Sequence, residues 1–198
     1  VVSSSLSSHL RGAILLNLHD TKALFPLQSE RLTLDLFTTE NITADYVSWL
    51  NNTEVMRFSN QRFTHHNMDS CKDYFHSINK SDALFLSINQ RRHQRYIGTM
   101  TVYFARAHRT ADIGILIGDP QVWGQGFGRE AWLLLLSTLL NAVNVRKVTA
   151  GTLACNHGML AIMKNCGMRA DGQRSQQELI DGQAVDILHF AAFQANKR

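Results

Sequence analysis

From Arg31 the chain begins to alternate: in RLTLDLF, Leu32, Leu34 and Leu36 stand between polar neighbours, the period of two that marks a half-buried strand. In TTENITADYVSWLNN, Thr39 or Asn41 is placed to cap a helix with Ile42, Tyr46, Val47, Trp49 and Leu50 mostly on one stripe. TEVMRF, after Asn52, predicts a second short helix, NQRFTHHNMDS a polar loop, and residues 68–78 a third helix. Then ALFLSI, YIGTMTVYF and ADIGILIG, separated by the turns NQRRHQR and ARAHR, predict strands two, three and four of an antiparallel meander.

Past residue 128 the pattern changes period. Between 129 and 143, Ala131, Trp132, Leu134, Leu135, Leu136, Leu139, Ala142 and Val143 wrap most of a helix surface, so this helix is expected to be buried. KVTAGTL supplies a fifth strand, NHGMLAIMKNCG a helix capped by Asn156 and stopped by Gly167, and the last two strands meet across IDGQ. The order strand, helix, strand over 113–153 predicts a right-handed crossover onto a parallel neighbour, with a ligand site at the carboxyl ends of those strands.

Composition narrows this to one α/β domain. The 198 residues are 44% hydrophobic and no Pro- or Gly-rich tract divides them, so residues 29–198 are read as one unit behind an extension, 1–28, that opens on the Ser-rich VVSSSLSSHL. A net charge of +4 suits anionic ligands but is modest for a nucleic-acid binder, and no nucleic-acid partner is expected. Cys71, Cys155 and Cys166 are odd in number and unpatterned, which argues against a disulfide framework or a CxxC metal site and for a reducing cytoplasm. No apolar run approaches the ~18 residues of a membrane span. GAILLNL, after Arg11, is too short and lacks a cleavage site, so neither a leader nor a membrane partner is expected.

The chemistry concentrates in GDPQVWGQGFGREAW, where Gly124, Gly126 and Gly128 run into the buried helix. A strand that ends in a glycine turn opening a helix is an anion site, because free first-turn amides point outward and the helix dipole favours negative charge. The plain alternative is a tight connection. A Walker loop needs Gly-Lys-Ser/Thr, which is missing, and the spacing GxGxG is not the GxGxxG of a dinucleotide fold.

QVWGQG, led by Gln121, instead resembles the Gln/Arg-x-x-Gly-x-Gly/Ala signature of the GNAT acetyltransferase superfamily. ADIGILIGDPQVWGQGFGREAW is similar in particular to the ribosomal-protein N-terminal acetyltransferases, in which a Trp often precedes the first glycine, as Trp123 does. RLTLDLF, WLNNTEVMRF and NHGMLAIMKNCGM extend the similarity over roughly 31–193. The resemblance implies the GNAT fold, a mixed twisted sheet of about seven strands flanked by helices, with acetyl-CoA as co-substrate and no metal. It also implies that amides of Trp123, Gly124, Gln125, Gly126, Phe127, Gly128 and Arg129 cradle the CoA pyrophosphate. The edge of Leu116, Ile117 and Gly118 would pair with pantetheine as an added strand. The Arg129 side chain adds charge there or is simply solvated, and Asn156 contacts the cofactor, caps its helix, or does both.

The implied reaction is direct attack of a primary amine on acetyl-CoA through a tetrahedral intermediate. The acceptor is a protein N-terminal α-amine or a small-molecule amine, amino sugars included, and a homodimer is compatible with this reading. Asp112 stands where some superfamily members hold a catalytic carboxylate; otherwise it is a strand-edge aspartate facing water or pairing with Arg109. His65 and His66 are alternative bases, since histidine titrates near working pH. One departure stands out. Many family members carry a Tyr or Ser on the last helix that protonates the leaving thiolate, where this chain has Met159 and Met163. Methionines at that spacing read as core, and their presence keeps open a CoA-binding module without catalysis.

Overall fold

The computed structural model describes residues 17–195. Its frame is an eight-stranded sheet: β1 (Leu27–Gln28), β2 (Leu32–Leu36), β3 (Ala83–Gln90), β4 (Arg95–Ala105), β5 (Thr110–Ile117), β6 (Lys147–Leu153), β7 (Arg169–Ile180) and β8 (Gln183–Phe193), in the spatial order β1-β2-β3-β4-β5-β6-β8-β7. Every neighbouring pair is antiparallel except β5 and β6, which run parallel as the crossover pattern requires. The helices are α1 (Leu18–Lys22), α2 (Ala44–Asn51), α3 (Met68–Asn79), α4 (Phe127–Asn141) and α5 (His157–Asn165).

The alternation in each strand sorts side chains between two cores. Leu84, Leu86 and Ile88 of β3 join Leu32, Leu34, Ile97 and Met100 on the face covered by α4 and α5, where Trp132, Leu135 and Leu139 of α4 are fully buried. Burying each such side chain contributes about 1.5–3 kcal/mol. Ala83 and Phe85 point the other way, into a smaller cluster with Phe37, Tyr46 and Trp49 beneath α2 and α3. The rings of Phe37 and Phe85 stack there at 4.2 Å between centroids. With both faces covered, β3 reads as a continuous apolar run; β7, at the sheet's edge, is mostly exposed and polar, which blunts edge-to-edge pairing.

Three expectations change. Residues 53–58 form successive turns and no helix: the Asn52 side chain accepts from the Glu54 and Val55 amides, and Ser59 N–H returns to Met56 O at 2.9 Å. The caps of the preceding segment are Thr38 and Thr43, not Thr39 or Asn41. An eighth strand, the two-residue β1, precedes the expected first one. It lies inside the expected N-terminal extension, together with α1, and Leu18, Leu24, Phe25 and Leu27 pack on the larger core. VVSSSLSSHL and the Arg11 segment lie outside the described residues. The closing hairpin turns on Asp181 and Gly182, both with positive φ (51° and 78°), which suits a primed hairpin turn.

Candidate functional site

The sheet comes apart where the chemistry is expected. β5 and β6 pair only through Thr110, Ala111 and Asp112 against Lys147, Val148 and Thr149, although β5 runs on to Ile117 and β6 to Leu153. Beyond Asp112 the two strands diverge, and β5 offers one side of its backbone to a cleft. Gly118 N–H donates to Ile97 O of β4 at 2.9 Å. Since direction alternates along a strand, Leu116 likewise turns its backbone groups to β4, whereas Ile113, Ile115 and Ile117 turn theirs to the cleft. The expected edge of Leu116, Ile117 and Gly118 is divided by this alternation. Only Ile117 of the three faces the opening, and its carbonyl already accepts the Trp123 indole N–H at 2.8 Å. Leu116 lines a cavity on the opposite side, and a side chain at Gly118 would collide with the Trp49 ring.

At the end of β5 the chain enters the glycine turn. Asp119 accepts the Gln121 amide at 3.0 Å and pairs with Arg95 at 2.6 Å, and Arg95 also reaches the Gln121 side chain. Gly124 and Gly126 take φ of 74° and 81°, the left-handed region that β-carbons disfavour. Gly126 is the N-cap of α4 and supplies no capping side chain. The first-turn amides of Phe127, Gly128 and Arg129 therefore have no side-chain cap at the positive end of a fifteen-residue helix. Gly128 serves a different end, since an added Cβ would sit 3.2 Å from Ile162 of α5. α4 thus starts two residues before the expected 129. The Arg129 side chain is exposed, and the Gln125 side chain donates back to Gln121 O.

A clamp invisible in the local sequence holds this turn. Arg31, entering β2, reaches across ninety-nine residues to Glu130 in the first turn of α4, at 2.6 Å for the ion pair and 2.7 Å from Nε. Its guanidinium also donates to Gln125 O at 3.0 Å and lies 4.4 Å from the Phe127 ring centroid. Glu130 further accepts the Ser29 hydroxyl and the Arg31 amide. Desolvation works to raise the Glu130 carboxyl, but the Ser29 bond and the Arg31 contacts outweigh it and hold it below the usual carboxylate range. The sequence signal was an acidic residue inside an anion-binding turn, which calls for a cationic partner.

Asp112 sits at the fork, its carboxylate accepting the Thr149 hydroxyl at 2.6 Å across the last β5–β6 pair. Its side chain reaches solvent, yet the surrounding protein mass pushes its carboxyl above the ordinary value, while Thr149 and His189 of β8 act the other way. Arg109 does not pair with it; that guanidinium donates to Asn144 O at 3.1 Å. His189, which the sequence did not single out, packs its ring over Gly151, with a buried Nε2 that has no hydrogen-bond partner among the described residues. Asn156 caps α5 through the Met159 amide, and its amide group donates to Thr152. Met163 is fully buried and Met159 packs on the same core, as their spacing suggested.

On the α2 and α3 side of the sheet lies a cavity of 420 Å³ walled by Tyr46, Leu50, Met56, Tyr74, Phe85 and Leu116. His66 lines it and His65 does not. His66 is fixed there by a reciprocal pair with Asn51, each bond 2.8 Å. Gly114 also lines the cavity and stands on the same strand face as Asp112, two residues or about 6.7 Å along β5. Among the described residues no group of acidic, histidine and cysteine side chains is arranged to hold a metal, and no helix is long and apolar enough to cross a membrane.

Comparison with known proteins follows this geometry. The family model described as an acetyltransferase (GNAT) domain matches residues 31–169. No curated protein matches the chain in sequence. Among solved structures, spermidine N-acetyltransferase from Vibrio cholerae, in complex with CoA and spermine, superposes with a TM-score of 0.75 at 18% identity, covering 84% of this chain and 98% of that one. A GNAT-family acetyltransferase from Bacillus anthracis gives 0.73 at 14% identity over 85% and 98% of the two chains. RimL, a ribosomal α-N-protein acetyltransferase in complex with CoA, gives 0.72 at 15% identity over 83% and 95%.

Proposed function

The chain belongs to the GNAT acetyltransferase family, and from that premise we propose that it moves the acetyl group of acetyl-CoA to a primary amine held in the 420 Å³ cavity. The observation that carries this reading is the fork: the glycine turn and the opened edge of β5 lie on one side of a strand whose other face walls the cavity. The residues fit acyl-CoA. The amides of Phe127, Gly128 and Arg129, with open space at Gly124, suit a pyrophosphate, and the Arg31 guanidinium stands beside them. The polar backbone of Ile113 and Ile115, with the Ile117 N–H, suits the two amides of pantetheine by strand addition. Trp123 and Gln125 shape the turn. Asn156 acts first as a cap that orders α5 against the cleft, and Arg129 adds diffuse charge.

Acetyl transfer forms a bond between the amine nitrogen and the acetyl carbon, breaks the thioester C–S bond, and leaves one proton to be removed from the ammonium. Asp112 is the group assigned to take it, through a water that bridges the distance from the cavity wall at Gly114. Its raised carboxyl brings it closer to the range of an effective base. The thiolate, with an ordinary pKa of about 8.5, departs without a protein acid, so the thioethers at Met159 and Met163 do not block turnover. Cleft-side amides of β5 are placed to stabilise a developing oxyanion. Three free cysteines suit a reducing compartment.

A thiol-release assay tests this directly: acetyl-CoA with a panel of primary amines should yield free CoA in proportion to acetylated amine. CoA binding without thiol release for every amine would reduce the protein to a binding module.

A further inference from the structure

We infer that this chamber selects a primary amine carried on an uncharged, largely apolar body and discriminates against polyamines. The inference rests on reading the cavity as the acceptor site. Its physical basis is the wall chemistry. Among the described residues sixteen line the space, and not one of them is Asp, Glu, Lys or Arg. Polar lining groups, such as Ser59, Gln61, Thr64 and Thr99, are neutral. The remaining groups supply no anion: burial pushes the Tyr46 and Tyr74 hydroxyls and the Cys71 thiol upward, and the His66 side chain is not an acidic group.

Among the described residues no carboxylate is part of the lining: Asp112 of β5, two residues before Gly114, accepts the Thr149 hydroxyl at 2.6 Å and is the group assigned to the reacting amine's own proton. Asp69 pairs with Lys72 at 3.2 Å, and Glu178 reaches in from β7 only to meet Asn60 at 2.9 Å and Arg62 at 3.9 Å. A monoamine that gives up its proton brings no charge into the space. Spermidine, with three amines, still carries two ammonium groups after its reacting nitrogen is deprotonated, and a desolvated ammonium without a carboxylate partner is strongly disfavoured. The size suits a small ligand, and the edge-on pair of Tyr74 and Phe85, 5.6 Å between centroids, offers a wall for an aromatic ring.

The experiment compares phenethylamine with spermidine, both as substrates and as ligands of the CoA complex followed by intrinsic fluorescence. Phenethylamine should bind at least ~10-fold more tightly and dominate in kcat/KM. Ser59→Asp should narrow the gap by a similar factor, because Asp preserves the cap that Ser59 gives the Gln61 amide while adding a carboxylate to the wall. Thr64→Asp, at an exposed lining position, repeats the test should the first variant fold poorly. Spermidine binding as tightly as phenethylamine, or a gap unchanged in both variants, overturns the inference. Selective phenethylamine binding without acetyl transfer would instead sink the catalytic reading and leave the chamber's selectivity standing.

Discussion

The two faces of the sheet are packed to different ends. Under α4 and α5 the core is larger and mostly aliphatic, with Trp132, Leu135, Leu139 and Met163 fully buried, and Val122 and Phe127 tie the glycine turn to it at the end of β5. Under α2 and α3 the core is a smaller aromatic cluster, and part of the space is left open as the 420 Å³ cavity proposed to hold the acceptor. One face is built to fix a backbone conformation and the other to leave room. Because both act through a single strand, β5, the comparison makes a strong claim: cofactor and acceptor functions should be separable by mutation on either side of it.

The largest effect tests that claim at the fork. Asp112→Asn should lower turnover by ~10² to ~10⁴, the range of general-base assistance. CoA affinity should stay within experimental error, because the side chain faces away from the glycine turn's amides. Activity should recover as pH rises and the amine loses its proton unaided. Full turnover at neutral pH would make Asp112 a structural partner of Thr149 and direct attention to His66, the loop histidine that lines the chamber.

A smaller effect should stay on the other face. Gly126→Val places a branched side chain at φ 81°, a conformation that costs about 1–2 kcal/mol for residues with a Cβ. It also obstructs the amides assigned to the pyrophosphate. The native chain should gain about 2.7 kcal/mol at a hundredfold excess of CoA over its Kd. The folded variant should lose most of that gain in thermal melts while still binding phenethylamine. Undiminished CoA stabilisation would place the phosphates elsewhere.

That division also explains what was legible in the sequence. The side proposed to hold the cofactor is encoded contiguously: a strand, a glycine turn and a helix lie within Thr110–Asn141, so spacing alone located the turn and the start of the helix to within two residues. The outer shape of the sheet followed from alternation, apart from the two-residue β1, too short to carry a period. The cavity proposed for the acceptor is assembled from α2, the turn at Met56, the 59–66 loop, α3 and three strands, and no local pattern announces it. TEVMRF misled because Asn52 turns the chain with its side chain, a choice that apolar spacing does not register. Which backbone groups of β5 face the cleft was not legible, because that depends on the pairing to β4, a property of register. Arg31 escaped because its partner stands ninety-nine residues away.

The smallest effect concerns that distant partner and sharpens the account of the cofactor face. Glu130 has a folded carboxyl held below its ordinary value. Its contribution is therefore present in full above the unfolded value of about 4.3 and is lost as pH falls through the lower folded value. Glu130→Gln removes this titration while keeping a hydrogen-bonding side chain. The native chain should be the more stable at neutral pH, by no more than about 1 kcal/mol because the Arg31 guanidinium is partly solvent-exposed. That difference corresponds to a melting shift within ~4 °C for a chain of this size. The two melting curves should converge as pH falls through the lowered folded value and the native carboxylate protonates. Parallel pH profiles for the two proteins would mean that Ser29 and the Arg31 amide hold the turn as well through a neutral side chain, leaving the ion pair's charge without a structural role.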